Sequence, residues 1–228
     1  TAIAEHVISE CLRDKVGVIY TAPIKALSNQ KYRDFQGQFA QDVGILTGDV
    51  SINPDAYVLI MTTEIFRNKI LDDPEGLKKY SWVIFDEIHY IDNPERGTVW
   101  EESLMFLPAH MKLLALSATI PNIKQLAGWI ESIHNKPVKT VIEEKRPVPL
   151  HFLYHSQNEI VDKIERLRKT GAGRMNRLNT LINYVRQEEN LPCIYFVFGR
   201  KRAEELAFEL YGYDFLSQNE KAQAQELY

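Results

Sequence analysis

Cysteine is scarce in this 228-residue sequence: Cys11 and Cys193 stand far apart, with no C-x-x-C pair. That excludes a disulfide framework and a structural zinc site, and it fits a reduced, cytoplasmic chain. No apolar run approaches the roughly 18 residues that span a bilayer, so a soluble chain without a membrane partner is expected. Near the start stand acidic Glu5 and Glu10, where a secretory leader would have basic residues and then an apolar core. The six histidines show no metal-ligand spacing, which argues against a metal held by protein ligands alone. An excess of one charge is missing too, since the net charge is −4. The strongly basic footprint of many nucleic-acid binders is therefore absent. A groove of backbone amides and a few Lys or Arg can still hold phosphates on an acidic body.

What is present is alternation. Val16–Tyr20, Val43–Leu46, Tyr57–Met61, Trp82–Phe85, Lys112–Leu116 and Val138–Ile142 are apolar enough to be buried strands. Between them, Pro23–Phe39, Thr63–Leu71, Thr98–Phe106 and Ile123–Ile133 have helical character, the first opened by a proline. Strands apolar on both faces, separated by helices, predict a doubly wound parallel α/β sheet. The pattern breaks at Glu143–Pro149, a charged stretch with two prolines, so a first domain at 1–145 and a second unit at 146–228 are expected. That second unit would contain a strand at Leu150–Tyr154 and helices at Asn158–Arg168 and Leu178–Glu188. A buried strand at Cys193–Phe198 would follow, then a helix at Arg200–Leu210. The basic span from Lys163 to Arg177 reads either as a nucleic-acid patch or as a solvated loop. Trp100 and Trp129 have helical spacing to apolar neighbours, which suits core positions.

The chemistry concentrates in Val83-Ile84-Phe85-Asp86-Glu87-Ile88-His89. Ligands of open α/β sheets sit at the carboxyl ends of the strands. Two adjacent carboxylates delivered there suit holding Mg²⁺ and positioning a water against a nucleoside triphosphate. The same Asp86 could instead cap the following turn, and on these residues alone both readings stand.

Asp86-Glu87-Ile88-His89 resembles the D-E-x-H box of superfamily-two helicases, and Leu116-Ser117-Ala118-Thr119, just after a later strand, resembles their S-A-T motif. Upstream, Thr21 to Leu27 is similar to motif Ia and Thr62-Thr63-Glu64 to motif Ib. The stretches Pro23–Lys31, Leu46–Pro54, Arg96–Glu102 and Ser117–Asn122 resemble the superkiller-type, exosome-cofactor branch of RNA helicases. Tyr195 to Arg202 is similar to motif IV, which opens a second motor domain.

The resemblance implies a RecA-like motor using ATP and Mg²⁺ on RNA, single-stranded or as a 3′-tailed duplex, with an exosome-like nuclease complex as a possible partner. Asp86 would ligate Mg²⁺ through water, Glu87 would activate the attacking water, and His89 would touch Ser117 to Thr119. For Ser117 and Thr119, ordinary turn hydrogen bonding is the competing account. Pro23, Lys25, Gly48, Asp49, Thr62, Thr63 and Glu64 would line the strand-binding groove, where helix N-termini and turn amides accept phosphate. Glu64 would also serve as a first-turn acid.

The sequence departs from the family in lacking the loop G-x-x-x-x-G-K-[ST] that cradles the phosphates. The resemblance puts that loop directly before Thr1, which would then supply the magnesium-binding hydroxyl, cap the helix at Ala2–Arg13, or do both. Motif VI would lie beyond Tyr228, and comparable arginines are worth about 10³–10⁵ in rate. A fragment inactive alone, from an active parent, is the expectation. The Ser28–Gln30 run and Gly97–Trp100 favour RNA. The alternatives are a DNA repair helicase of the neighbouring archaeal branch and a non-catalytic nucleic-acid-binding module.

Overall fold

The computed structural model describes residues 2–118, 120–156, 159–166, 178–187 and 191–226. It divides into two compact units, residues 1–142 and 143–228. The first begins with α1 (Ala2–Arg13), β1 (Gly17–Ala22), α2 (Lys25–Phe39), β2 (Val43–Leu46), β3 (Ser51–Ile52) and β4 (Val58–Thr62). It continues with α3 (Thr63–Asp72), β5 (Tyr80–Phe85), α4 (Gly97–Met105), β6 (Lys112–Ala115) and α5 (Ile123–His134). The sheet order is β3-β2-β4-β1-β5-β6, parallel except for the short β2–β3 pair.

Alternation along the strands explains why both faces are covered. In β1, β4 and β5, the side chains of Val18, Tyr20, Val58, Ile60 and Ile84 pack with Ala4, Ile8 and Phe35 from α1 and α2. Their neighbours Ile19, Leu59, Met61, Val83 and Phe85 point the other way, onto Phe66, Trp100 and Ile130 from α3, α4 and α5. Each such side chain stabilises the fold by roughly 1.5–3 kcal/mol through burial. Trp100 is fully buried between Phe85 and Tyr90, as its spacing implied, and Trp129 is half-buried against the same core.

Helix α2 starts later than the proline suggested. β1 stays paired with β4 as far as Ala22 opposite Thr62, so Pro23 falls in the turn and Ile24 is still extended, with φ −141°. Val138–Ile142 is not a strand: the sheet ends at β6, the Val138 amide donates to Glu131 at 2.7 Å, and Val141 and Ile142 are exposed.

The second unit holds β7 (Tyr154–Ser156), β8 (Glu159–Val161), α6 (Leu178–Gln187), α7 (Arg200–Leu210) and α8 (Gln218–Glu226). α6 and α7 stand where expected. The strand at Leu150–Tyr154 is displaced to β7, which forms an antiparallel hairpin with β8. That pairing takes Glu159–Val161 out of the helix expected at Asn158–Arg168, leaving one 3₁₀ turn at Ile164–Arg166. Asn158 and most of the basic span fall outside the described residues. Cys193–Phe198 forms no strand; without a ladder partner among the described residues, Cys193 and Phe196 lie exposed. Among the described residues no helix is long and apolar enough to cross a membrane.

Candidate functional site

The acid pair leaves a strand clamped on both sides. Phe85 sits opposite Thr21 of β1 and Ala115 of β6. Past the strand end, the Asp86 amide donates to the Thr21 carbonyl at 3.0 Å and the Ile88 amide to the Leu116 carbonyl at 2.9 Å. Strand alternation turns the Asp86 side chain to the same face as Tyr20. The Tyr20 hydroxyl donates to Asp86 Oδ2, while Oδ1 accepts from the Glu87 amide at 3.1 Å. Burial, and secondly the bond to Asp86, push the Tyr20 phenol far above its ordinary range, so it stays a donor.

Glu87 is left-handed, φ 57° and ψ 46°, a conformation that costs a residue with a Cβ roughly 1–2 kcal/mol. Such strain persists only where the surroundings enforce it. It breaks the alternation and brings the Glu87 carboxylate 3.2 Å from His89 Nδ1. Ser117 Oγ is 3.4 Å from the same nitrogen. Asp86, Glu87, His89 and Ser117 therefore gather at the adjoining ends of β5 and β6. Thr1 and Thr119 lie outside the described residues.

A separate groove of about 600 Å³ opens at the ends of β1 and β4, where α2 and α3 begin. Lys25, Gly48, Thr62 and Glu64 line it, joined by Ile24, Ala26, Ile65 and Arg96. Asp49 is attached through an ion pair with Lys25. Gly48 faces the Lys25 side chain, whose ammonium lies 3.4 Å from where a Cβ would stand. Two expected lining residues do not line the groove. Pro23 and Thr63 are buried because each ends a β-to-α turn against the core, and Thr63 Oγ1 has no hydrogen-bond partner among the described residues. Pro23 contributes its carbonyl instead, which accepts from Arg96.

Sequence reasoning missed Tyr20 and Arg96 as site residues. Tyr20 carried a signal, since a phenol inside an apolar strand needs a partner when buried. Arg96 opens one of the stretches that carry the resemblance, but its partners Glu64 and Pro23 are remote in sequence, so nothing local pointed to its role.

Residues 1–126 match the DEAD/DEAH box helicase family, more than half of the chain, and the chain belongs to that family. Among its curated relatives, mRNA transport homolog 4 of Caenorhabditis elegans is 41% identical across 100% of this chain and 25% of its own length. Exosome RNA helicase MTR4 of Homo sapiens is 37% identical, covering 100% and 25%. Superkiller complex protein 2 of Mus musculus is 37% identical, covering 98% and 21%. The chain thus spans about a quarter of the length of these relatives. A crystal structure of the DUF1998 helicase MrfA bound to DNA and AMPPNP aligns with a TM-score of 0.50 at 18% identity, over 62% of this chain and 22% of that one. At that identity it speaks for the RecA-like α/β fold alone.

Proposed function

We propose that this chain is part of an ATP-dependent RNA helicase motor that couples ATP hydrolysis to movement along RNA and its unwinding. The observation that carries the proposal is the convergence of Asp86, Glu87, His89 and Ser117 at two adjacent strand ends, beside a groove holding Lys25, Gly48, Thr62 and Glu64. The residues suit Mg²⁺ rather than a metal caged by protein. Asp86 is a half-buried carboxylate, and the described residues contain no group of three or more His, Cys, Asp or Glu able to hold an ion. Magnesium takes one or two carboxylates, waters and phosphate oxygens. Asp86 and Thr1 would hold it, and when bound it offsets charge on the phosphates. Glu87 orients and deprotonates the attacking water, with Tyr20 fixing the neighbouring Asp86 carboxylate. His89 ties this pair to Ser117.

The groove holds the RNA backbone through Lys25 and the amides at the starts of α2 and α3, without reading sequence. Relatives named as RNA helicases support RNA over DNA as the substrate. Those named for the exosome and the superkiller complex support an exosome-like nuclease assembly as partner. Residues 143–228 would open the second motor domain, on the resemblance at Tyr195–Arg202. The two free cysteines, one of them exposed, suit the cytoplasm.

The deciding experiment measures ATPase stimulation of the full-length protein by single-stranded RNA and by single-stranded DNA of the same sequence. Stronger stimulation by RNA is expected. Predominant stimulation by DNA would overturn the substrate assignment in favour of the repair helicase, and no turnover with either would leave a binding module.

A further inference from the structure

We infer that Arg96 is a positioning residue: it ties the two helix starts of the groove together and holds them to the loop that carries Glu87. The inference rests on the strand-binding reading of the groove. The Arg96 guanidinium reaches both helix starts at once. Its Nε donates to Glu64 Oε1 at 2.9 Å, and its Nη2 donates to the same carboxylate and to the Pro23 carbonyl. Glu64 lies in the first turn of α3, and Pro23 immediately precedes the extended Ile24 that opens α2. A planar fork suits that geometry, whereas an ammonium is a single point charge. The pairing also matters for charge. An unpaired Glu64 in a groove meant for phosphate would repel the strand, and Arg96 offsets it at the same spot.

The other end of Arg96 is anchored in the acid loop through a continuous ladder. The Tyr90 amide donates to the Glu87 carbonyl at 3.0 Å, and the Asn93 amide to the Tyr90 carbonyl at 3.0 Å. Asn93 Oδ1 then accepts from the Arg96 amide at 3.0 Å. Gly97 follows, packed so closely on the Ile91 carbonyl that a Cβ has no room, and its amide donates to the Asn93 carbonyl at 2.8 Å. A displacement at Glu87 is therefore passed along bonded turns to Arg96, and from there to both helix starts. Nothing in this path uses the contact between His89 and Ser117.

The test uses the full-length protein and a fluorescein-labelled single-stranded RNA oligonucleotide. Anisotropy gives the RNA affinity without nucleotide and with a non-hydrolysable ATP analogue, and the ratio of the two is the readout. The wild type is expected to show a nucleotide-dependent ratio of about tenfold, within the usual span of coupling between sites. Arg96→Met should bring the ratio close to one, as should Glu64→Met, which removes the oxygen that accepts from Arg96. The double variant should be no worse than Arg96→Met alone, because that change already removes the contact to Glu64. Arg96→Lys should not rescue. Equal weakening in both states with the ratio intact would mean a merely structural role and overturn the inference, and full rescue by lysine would overturn it in favour of charge alone. A wild type that binds RNA without any nucleotide effect sinks the inference and spares the RNA reading, whereas a wild type that binds no RNA sinks both.

Discussion

Two apolar segments of nearly the same character behave in opposite ways. Trp82-Val83-Ile84-Phe85 lies in β5 between two parallel neighbours, and Phe85 is 0% exposed. Tyr195-Phe196-Val197-Phe198 forms no ladder, and Phe196 is 88% exposed. The difference does not lie in the residues. An apolar run becomes a strand when flanking strands satisfy its amides and carbonyls and helices cover its faces. β5 has both, whereas 195–198 has neither among the described residues. Only a segment held in that way can deliver a carboxylate to a fixed point.

The comparison can be broken at several strengths. The largest effect belongs to the chemistry that β5 positions. In the full-length protein, Glu87→Gln should leave ATP binding intact while turnover falls by at least about 10²-fold, the lower end for losing a general base. Steady-state ATPase assays with a nucleotide-binding control measure this, and near-normal turnover would remove Glu87 from its role. Next comes the packing that holds the strand. Phe85→Ala should destabilise the fold by about 3–5 kcal/mol, as for other buried aromatics, read as a shift in the denaturant midpoint. The smallest effect belongs to the other segment. Phe196→Ala should change stability by no more than about 0.5 kcal/mol in the same assay, as exposed substitutions usually do. A large loss there would mean that the segment is covered in the intact protein.

Much of the first unit was legible because its strands are apolar throughout and its helices begin at recognisable turns. The acid pair was legible as well, since Asp86 and Glu87 directly follow a buried strand. The same logic failed at Val138–Ile142 and Cys193–Phe198, where apolar composition was present and, among the described residues, a ladder partner was not. It also failed at Asn158–Arg168, where a short hairpin with β7 outweighed helical character. Lys25, Gly48, Thr62 and Glu64 line one groove, whereas Pro23 and Thr63 are buried, because a motif marks a turn without saying which of its side chains faces outward.

By itself, the sequence determined most of the strands and helices in the sheet domain, the placement of two carboxylates at a strand end, and the family to which they belong. These depend on periodicity and on neighbouring residues, both written along the chain. Only the tertiary structure decided that Tyr20 holds Asp86 and that Arg96 spans Glu64 and Pro23. Those partners are chosen by strand order, with β1 beside β5 and β5 beside β6, and by the bonded turns that follow. Such adjacency arises from closing the whole sheet and is carried by no local pattern.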